Sequence, residues 1–203
     1  MCAERSNTTG AGTVIEREMG HRSFLRRAPS TWHQVDLWLL RRIKSKGAKS
    51  PFWRLMKGLS TIGEHGLVWA GSCGILAVLD RDRRTVWALV ASTGPISIVV
   101  NFCLKNLVRR RRPEDDSQPS STRVSFSFPS AHAFSSFAVA TAWGRIEPRA
   151  RKPVLLLASF IAYSRVYLGR HYPSDVLAGG VLGVAVGRAI AAAVPVDRPS
   201  SQR

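Results

Sequence analysis

Residues 153–175 read PVLLLASFIAYSRVYLGRHYPSD, and this stretch decides the fold. From Val154 to Tyr163 there is hardly any polar face. A helix in a soluble bundle keeps a polar stripe toward water, so a helix apolar all round belongs against lipid or deep inside protein. The character then changes abruptly, with Ser164, Arg165, His171 and Asp175 closing the stretch. Pro173 suits the first turn of a new helix, which places His171 just outside that helix and Asp175 within its first turn. Ionisable groups at the edge of a membrane segment are costly to keep there and point to function.

Working outward, the apolar segments run from Gly66 to Leu79, Val86 to Val108, Ala131 to Gly144, Pro153 to Leu168 and Val176 to Val194. A bilayer core takes about 20 residues of helix, with about 17 as the lower limit. The first and third segments are short by that rule. They either extend into their flanks, Leu59 to Gly66 and Ser127 to Ser130, or belong to a bundle partly shielded from lipid. The expected fold is therefore all-α, a multi-spanning transmembrane helix bundle of about five spans. Gly179, Gly183 and Gly187 recur at fourfold spacing, which lets the last helix approach a neighbour closely.

The 203 residues make one domain without repeats. Lys and Arg number 30 against 13 Asp and Glu, a net charge of +17 that attracts nucleic acid, anionic lipid or phosphate substrates without distinguishing them. Residues 1–30 carry too few large apolar groups to offset ordering entropy and are expected to be a flexible basic arm. Across 31–58, Val35, Leu37, Trp38, Leu39, Leu40 and Ile43 alternate with Arg41, Arg42, Lys44 and Lys46, followed by Phe52, Trp53, Leu55 and Met56. This pattern predicts an amphipathic helical region at a membrane surface, broken at Gly47 and Pro51. Residues 59–196 form the membrane domain and 197–203 a tail. Cys2, Cys73 and Cys103 lack metal-ligand spacing and read as reduced packing residues. The N-terminus lacks the pattern of a removable signal peptide.

If the spans alternate in direction, the polar interruptions converge. The second span ends in Lys105 and the run Arg109 to Arg112, the third begins after Pro129 and Ser130 with His132, the fourth ends at Arg165, and the fifth is preceded by His171. All of these then share one membrane face. Lys105, Arg112 and Arg165 supply cations, and guanidinium forks match phosphate oxygens in pairs. Ser130 stands where a helix starts, so nearby N–H groups point at a bound anion, and His132 lies in that first turn. Asp175 is placed to accept a proton from one ring nitrogen of His171 and leave the other facing substrate. Taken singly, the arginine run is an ordinary positive flank, a lone histidine is a boundary residue, and Asp175 is a helix-start charge.

These residues resemble the type 2 phosphatidic acid phosphatases, which share a helical core with acid phosphatases and vanadium haloperoxidases. The family pattern has Lys, six residues and Arg-Pro, then Pro-Ser-Gly-His, then Ser-Arg, five residues, His, three residues and Asp. Here these are Lys105 to Arg112-Pro113, Pro129-Ser130-Ala131-His132, and Ser164-Arg165 through His171 to Asp175. The departure is Ala131 in place of glycine, which a helical first turn accepts and a positive-φ position does not. The resemblance implies a metal-independent lipid phosphatase without a cofactor. In it, His171 is the nucleophile that forms a phosphohistidine, Asp175 orients it, and His132 protonates the leaving group. Lys105, Arg112, Ser130, Ala131 and Arg165 hold the phosphate.

Two rival functions follow from the same features. A vanadate-dependent haloperoxidase shares the pocket, but those relatives are soluble. A binder of anionic lipid or nucleic acid uses the basic arm but leaves His132, His171 and Asp175 idle; no nucleic-acid partner is expected. The expected substrate is a polyprenyl phosphate or diphosphate, phosphatidate or phosphatidylglycerophosphate. The stretch Leu59 to His65 also resembles small actinobacterial members proposed to act on a decaprenyl-linked phosphoribose. The expected location is the cell membrane. Short loops with Arg81, Arg83, Arg84 and Arg145 suggest a cytoplasmic face opposite the active site, while the basic arm pulls the other way.

Overall fold

The computed structural model describes residues 31–45, 47, 50–113 and 126–193, except for the side chains of His65 and Leu67. The expected basic arm and C-terminal tail lie outside the described residues. Residues from Val35 onward make one compact unit, whereas 31–34 are grouped with the preceding N-terminal unit.

Helix α1 (Thr31–Ile43) and helix α2 (Pro51–Ile62) come first. Ser50 starts α2 with extended backbone, its Oγ accepts a hydrogen bond from the Trp53 N–H at 3.1 Å, and Pro51 fills the first helical position. A 3-10 turn at Glu64–Gly66 leads into α3 (Leu67–Leu79), α4 (Arg84–Ala91) and α5 (Thr93–Val108). Then come α6 (Ala131–Ile146), a 3-10 turn at Pro148–Ala150, α7 (Arg151–Tyr167) and α8 (Pro173–Ala193). No strand occurs among the described residues.

The apolar segments expected from sequence thus appear as helices, with one difference. The second is divided at Ser92, where Pro95 has no N–H to offer the carbonyl of Ala91 four residues earlier. The chain nevertheless continues in nearly the same course, since the Ser92 N–H reaches Ala88 O and the Ile96 N–H reaches Ser92 O, both at 3.1 Å.

By length and composition, Arg84–Val108 (25 residues) and Pro173–Ala193 (21 residues) are apolar and long enough to cross a membrane, and Val68–Leu79 is a shorter apolar helix. Helix α6, at 16 residues, is shorter than a span and lies inside the bundle. It packs against α8, α7, α5 and α4, with Phe134, Ser135, Ser136, Ala138 and Val139 all buried. A helix ringed by protein has no need of an apolar surface all round. The outer surface is apolar instead: Val78, Phe102, Leu156, Leu177 and Val181 are exposed, while Ser97, Asn101 and Asp175 are buried. Apolar side chains on the outside, with buried polar groups beside an apolar core, are the distribution that lipid as solvent favours.

The fourfold glycines find their partner in α6. A Cβ on Gly179, Gly183 or Gly187 would come within 2.5 Å of Ser130 O, 2.3 Å of Phe134 O or 2.4 Å of Ala138 O, respectively. Helix α8 therefore lies with its bare backbone on the backbone of α6, which fixes the start of α8 against the start of α6.

Candidate active site

The loop between α7 and α8 presents His171. Leu168 closes α7 through its N–H to Ser164 O at 2.9 Å, and Gly169 then takes a φ of 72°, a left-handed turn that suits glycine. The N–H groups of Arg170 and His171 fold back onto Arg165 O at 2.9 and 3.3 Å. This leaves His171 1% exposed, with Nδ1 at 2.8 Å from Ser127 O. A carbonyl can only accept, so this contact assigns the ring proton to Nδ1 and leaves the lone pair on Nε2.

Asp175 stands differently from the sequence expectation that it takes the imidazole proton directly. Its Oδ2 is 3.7 Å from His171 Nδ1 and accepts instead from the Tyr172 N–H at 2.9 Å. The backbone oxygen of Ser127 is thus the nearer acceptor, with the carboxylate behind it. Burial drives the proton affinity of His171 down to about 4, against the opposing pull of Asp175, so the ring is neutral at ordinary pH.

His171 lines a cavity of about 370 Å³ together with Lys105, Arg112, Ala131, His132 and Arg165. The geometry therefore brings together cations from α5, the α5–α6 connection and α7 with histidines from α6 and the α7–α8 loop. Burial, and next the charge of neighbouring Arg170, hold the Arg112 guanidinium below its ordinary range. Glu64 lines the same cavity, but Lys105, Arg112, Arg165 and Arg170 outnumber it, and this excess of positive charge in a partly buried pocket calls for an anion. Arg112 Nε, Arg165 Nε and Ser130 Oγ are buried without a protein partner, and an unpaired buried polar group costs about 1–3 kcal/mol. Phosphate oxygens match the two guanidinium donors in kind.

Ser130 caps α6, and its N–H is held by Asp175 O at 3.0 Å, which ties the starts of α6 and α8 together. Ala131 is the first residue of α6; among the described non-glycine residues only Arg109 has a positive φ. The methyl group in place of glycine therefore sits where helical backbone tolerates it. His132 Nε2 contacts Ser60 O at 3.2 Å, and Ser60 Oγ also accepts from Arg165 Nη1. Helix α2 thus braces two site residues at once.

Several participants were not singled out from the sequence. Arg170 lines the same cavity, and its only signal is its place next to His171. Ser97 and Asn101 also line it and stand at four-residue steps before Lys105, a polar stripe on one face of α5 that sequence periodicity can reveal. Arg110, expected only as part of a basic flank, donates through Nη1 to Asp175 Oδ1 at 2.8 Å and through Nη2 to Asp36 Oδ2 at 2.7 Å. Its guanidinium carbon lies over the Tyr172 ring, 4.0 Å from the centroid. Ser127 left no sequence signal, because the group that matters is its carbonyl.

A helical bundle with an apolar exterior, whose cationic pocket opens on a buried neutral histidine, defines a membrane phosphotransfer or phosphate-hydrolysis protein. Comparison with known proteins gives the family: residues 66–198 match the PAP2 superfamily, and the chain belongs to it. It is 38% identical over 133 residues to the decaprenylphosphoryl-5-phosphoribose phosphatase of Mycobacterium tuberculosis, covering 64% of this chain and 74% of the relative. It is 31% identical over 161 residues to the lipid A 4'-phosphatase of Bacteroides thetaiotaomicron, covering 68% of each. The crystal structure of Aquifex aeolicus LpxE superposes with a TM-score of 0.63 at 24% identity, over 77% of this chain and 94% of that one, which supports the fold. The chain is a lipid phosphatase of this superfamily.

Proposed function

We propose that the chain hydrolyses a lipid phosphate through a phosphohistidine on His171, in a multi-pass bundle of five spans in the cell membrane. In the first step Nε2 attacks phosphorus, an N–P bond forms, and the P–O bond to the leaving group breaks. His132 supplies the proton that this oxygen takes up. Its Nε2 proton is directed at Ser60 O, so the acid is the imidazolium, which keeps that contact and offers Nδ1–H. In the second step water attacks phosphorus, the N–P bond breaks, His132 takes the proton, and inorganic phosphate leaves. Lys105, Arg112 and Arg165 hold the oxygens as charge spreads over them, and the unpartnered Ser130 Oγ at the helix start is a further donor. Asp175 positions His171 from behind. The observation that carries the reading is the 2.8 Å contact of His171 Nδ1 with Ser127 O, which leaves Nε2 as the nucleophilic nitrogen of a cavity-lining residue.

Within the lipid phosphates, the reading is a phosphate on a polyprenyl-linked headgroup, a decaprenyl-linked phosphoribose above all. Its support is the 38% identity to the mycobacterial phosphatase. A panel in detergent tests it: the polyprenyl-linked sugar phosphate, a polyprenyl diphosphate, phosphatidate and phosphatidylglycerophosphate, each with and without chelator. Preference for the first with chelator inert supports the reading. Preference for a diphosphate or a glycerolipid moves the substrate within the class, and a strict magnesium requirement contradicts the metal-independent mechanism.

A further inference from the structure

We infer that Asp36 on helix α1 is a positioning residue for catalysis, acting through Arg110 on Asp175, so that helix α1 is a working part of the active site. The inference rests on the proposed role of His171. Helix α1 lies before residues 66–198, the part of the chain that matches the family.

Asp36 is one of only two described residues of α1 that are buried, and its partner in burial is the apolar Leu40. A carboxylate drawn into protein from a helix otherwise rich in basic residues needs donors, and three are present. The Ser174 N–H reaches Asp36 Oδ1 at 3.0 Å, Ser174 Oγ donates to Oδ2, and Arg110 Nη2 lies at 2.7 Å from Oδ2. Burial opposes its ionisation, yet the bonds from Ser174 and Arg110 outweigh that cost and hold its proton affinity below the usual carboxylate range.

Arg110 then passes this constraint inward. Its Nη1 donates to Asp175 Oδ1 at 2.8 Å and lies 2.7 Å from Ser174 Oγ, so one guanidinium spans two carboxylates that belong to different helices. With Oδ1 held by Arg110 and Oδ2 by the Tyr172 N–H, Asp175 has one orientation, and that orientation sets its distance to His171. Asp36 itself is not among the residues that line the phosphate cavity. Its removal therefore affects how the nucleophile is held and leaves the substrate contacts in place.

The test uses the full chain in detergent with a lipid phosphate it hydrolyses, comparing Asp36→Asn, Asp36→Glu, Arg110→Lys, the double variant Asp36→Asn with Arg110→Lys, and His171→Ala. Asp36→Asn and Arg110→Lys are each expected to lower kcat by about tenfold with KM within about twofold, and the double variant to lose little more than either alone, because the two act as a unit. Asp36→Glu restores part of the loss. Lysine keeps the charge of Arg110 but cannot span two carboxylates, so a silent Arg110→Lys overturns the bridge. Unchanged kcat in Asp36→Asn, an effect on KM alone, or additive losses in the double variant overturn the inference. Should Asp36→Asn fail to give monodisperse protein, Asp36→Glu and Arg110→Lys decide on the same kcat and KM readout. Activity surviving in His171→Ala removes the proposed site itself; a dead His171→Ala beside a normal Asp36→Asn removes this inference alone.

Discussion

Helix α8 meets α6 through glycine and bare backbone, whereas α1 meets the start of α8 through the directed bonds of one carboxylate beside a small apolar cluster that includes Leu40 and Val176. On the first contact, a Cβ at Gly183 would lie 2.3 Å from Phe134 O, so there is no room for any side chain. On the second, Asp36 is seated on Ser174 and Arg110 by directed bonds. Close backbone packing sets where the helices lie and tolerates no added volume, while directed polar bonds set how a side chain points. Changes on the first contact therefore fall on stability, and changes on the second fall on turnover.

The largest expected effect comes from filling the first contact. Gly183→Leu should leave no folded protein, because the overpacking falls on backbone and exceeds the usual cost of about 1–3 kcal/mol. Gly71→Ala, with nothing within 4 Å of its Cβ, should melt at or slightly above the native temperature. Thermal unfolding in detergent checks both, and equal melting of the two variants would break the comparison.

A smaller effect follows from pH. His171 binds a proton near 4 in the folded chain against 6.5 when unfolded, so the unfolded state binds more protons between those values. Stability is full above pH 6.5 and declines as pH falls toward 4, by about 3 kcal/mol at most. His171→Gln should flatten that decline in a pH series of unfolding curves. On the activity side, the nucleophile stays unprotonated down to the same range, so the acid limb of kcat/KM that belongs to it lies nearer pH 4 than 6.5.

The smallest effect is expected from deleting residues 1–30, which stops short of α1 and of Asp36. Hydrolysis should stay within about twofold of the full chain, while loss of activity would assign the basic arm a catalytic part.

The sequence carried the helices well, because the apolar runs and their stops at Gly66, Pro129 and Pro173 are local signals. The fourfold glycines announced a close contact but not its partner, since α6 lies some forty residues upstream and only packing pairs the two. Spacing brought Lys105, Arg112, His132, Arg165 and His171 to attention, and all five line one cavity. The supports were harder to read. Ser127 acts through a backbone oxygen that any residue could supply, and Arg110 looks like its basic neighbours until Asp36 and Asp175 are seen on either side of it. The break at Ser92 was not expected from the sequence, where Val86 to Val108 reads as one segment; its local cause is Pro95, whose missing N–H weakens the turn before it.

The most direct measurement is to trap the enzyme during turnover of a lipid substrate carrying radiolabelled phosphate, by rapid quenching, and to ask where the label sits. Label bound to the wild-type chain, stable to alkali and released by acid, and missing from a folded His171→Ala protein, is the predicted result. Alkali-labile label, or label that persists when His171 is replaced, would contradict a phosphohistidine at this position.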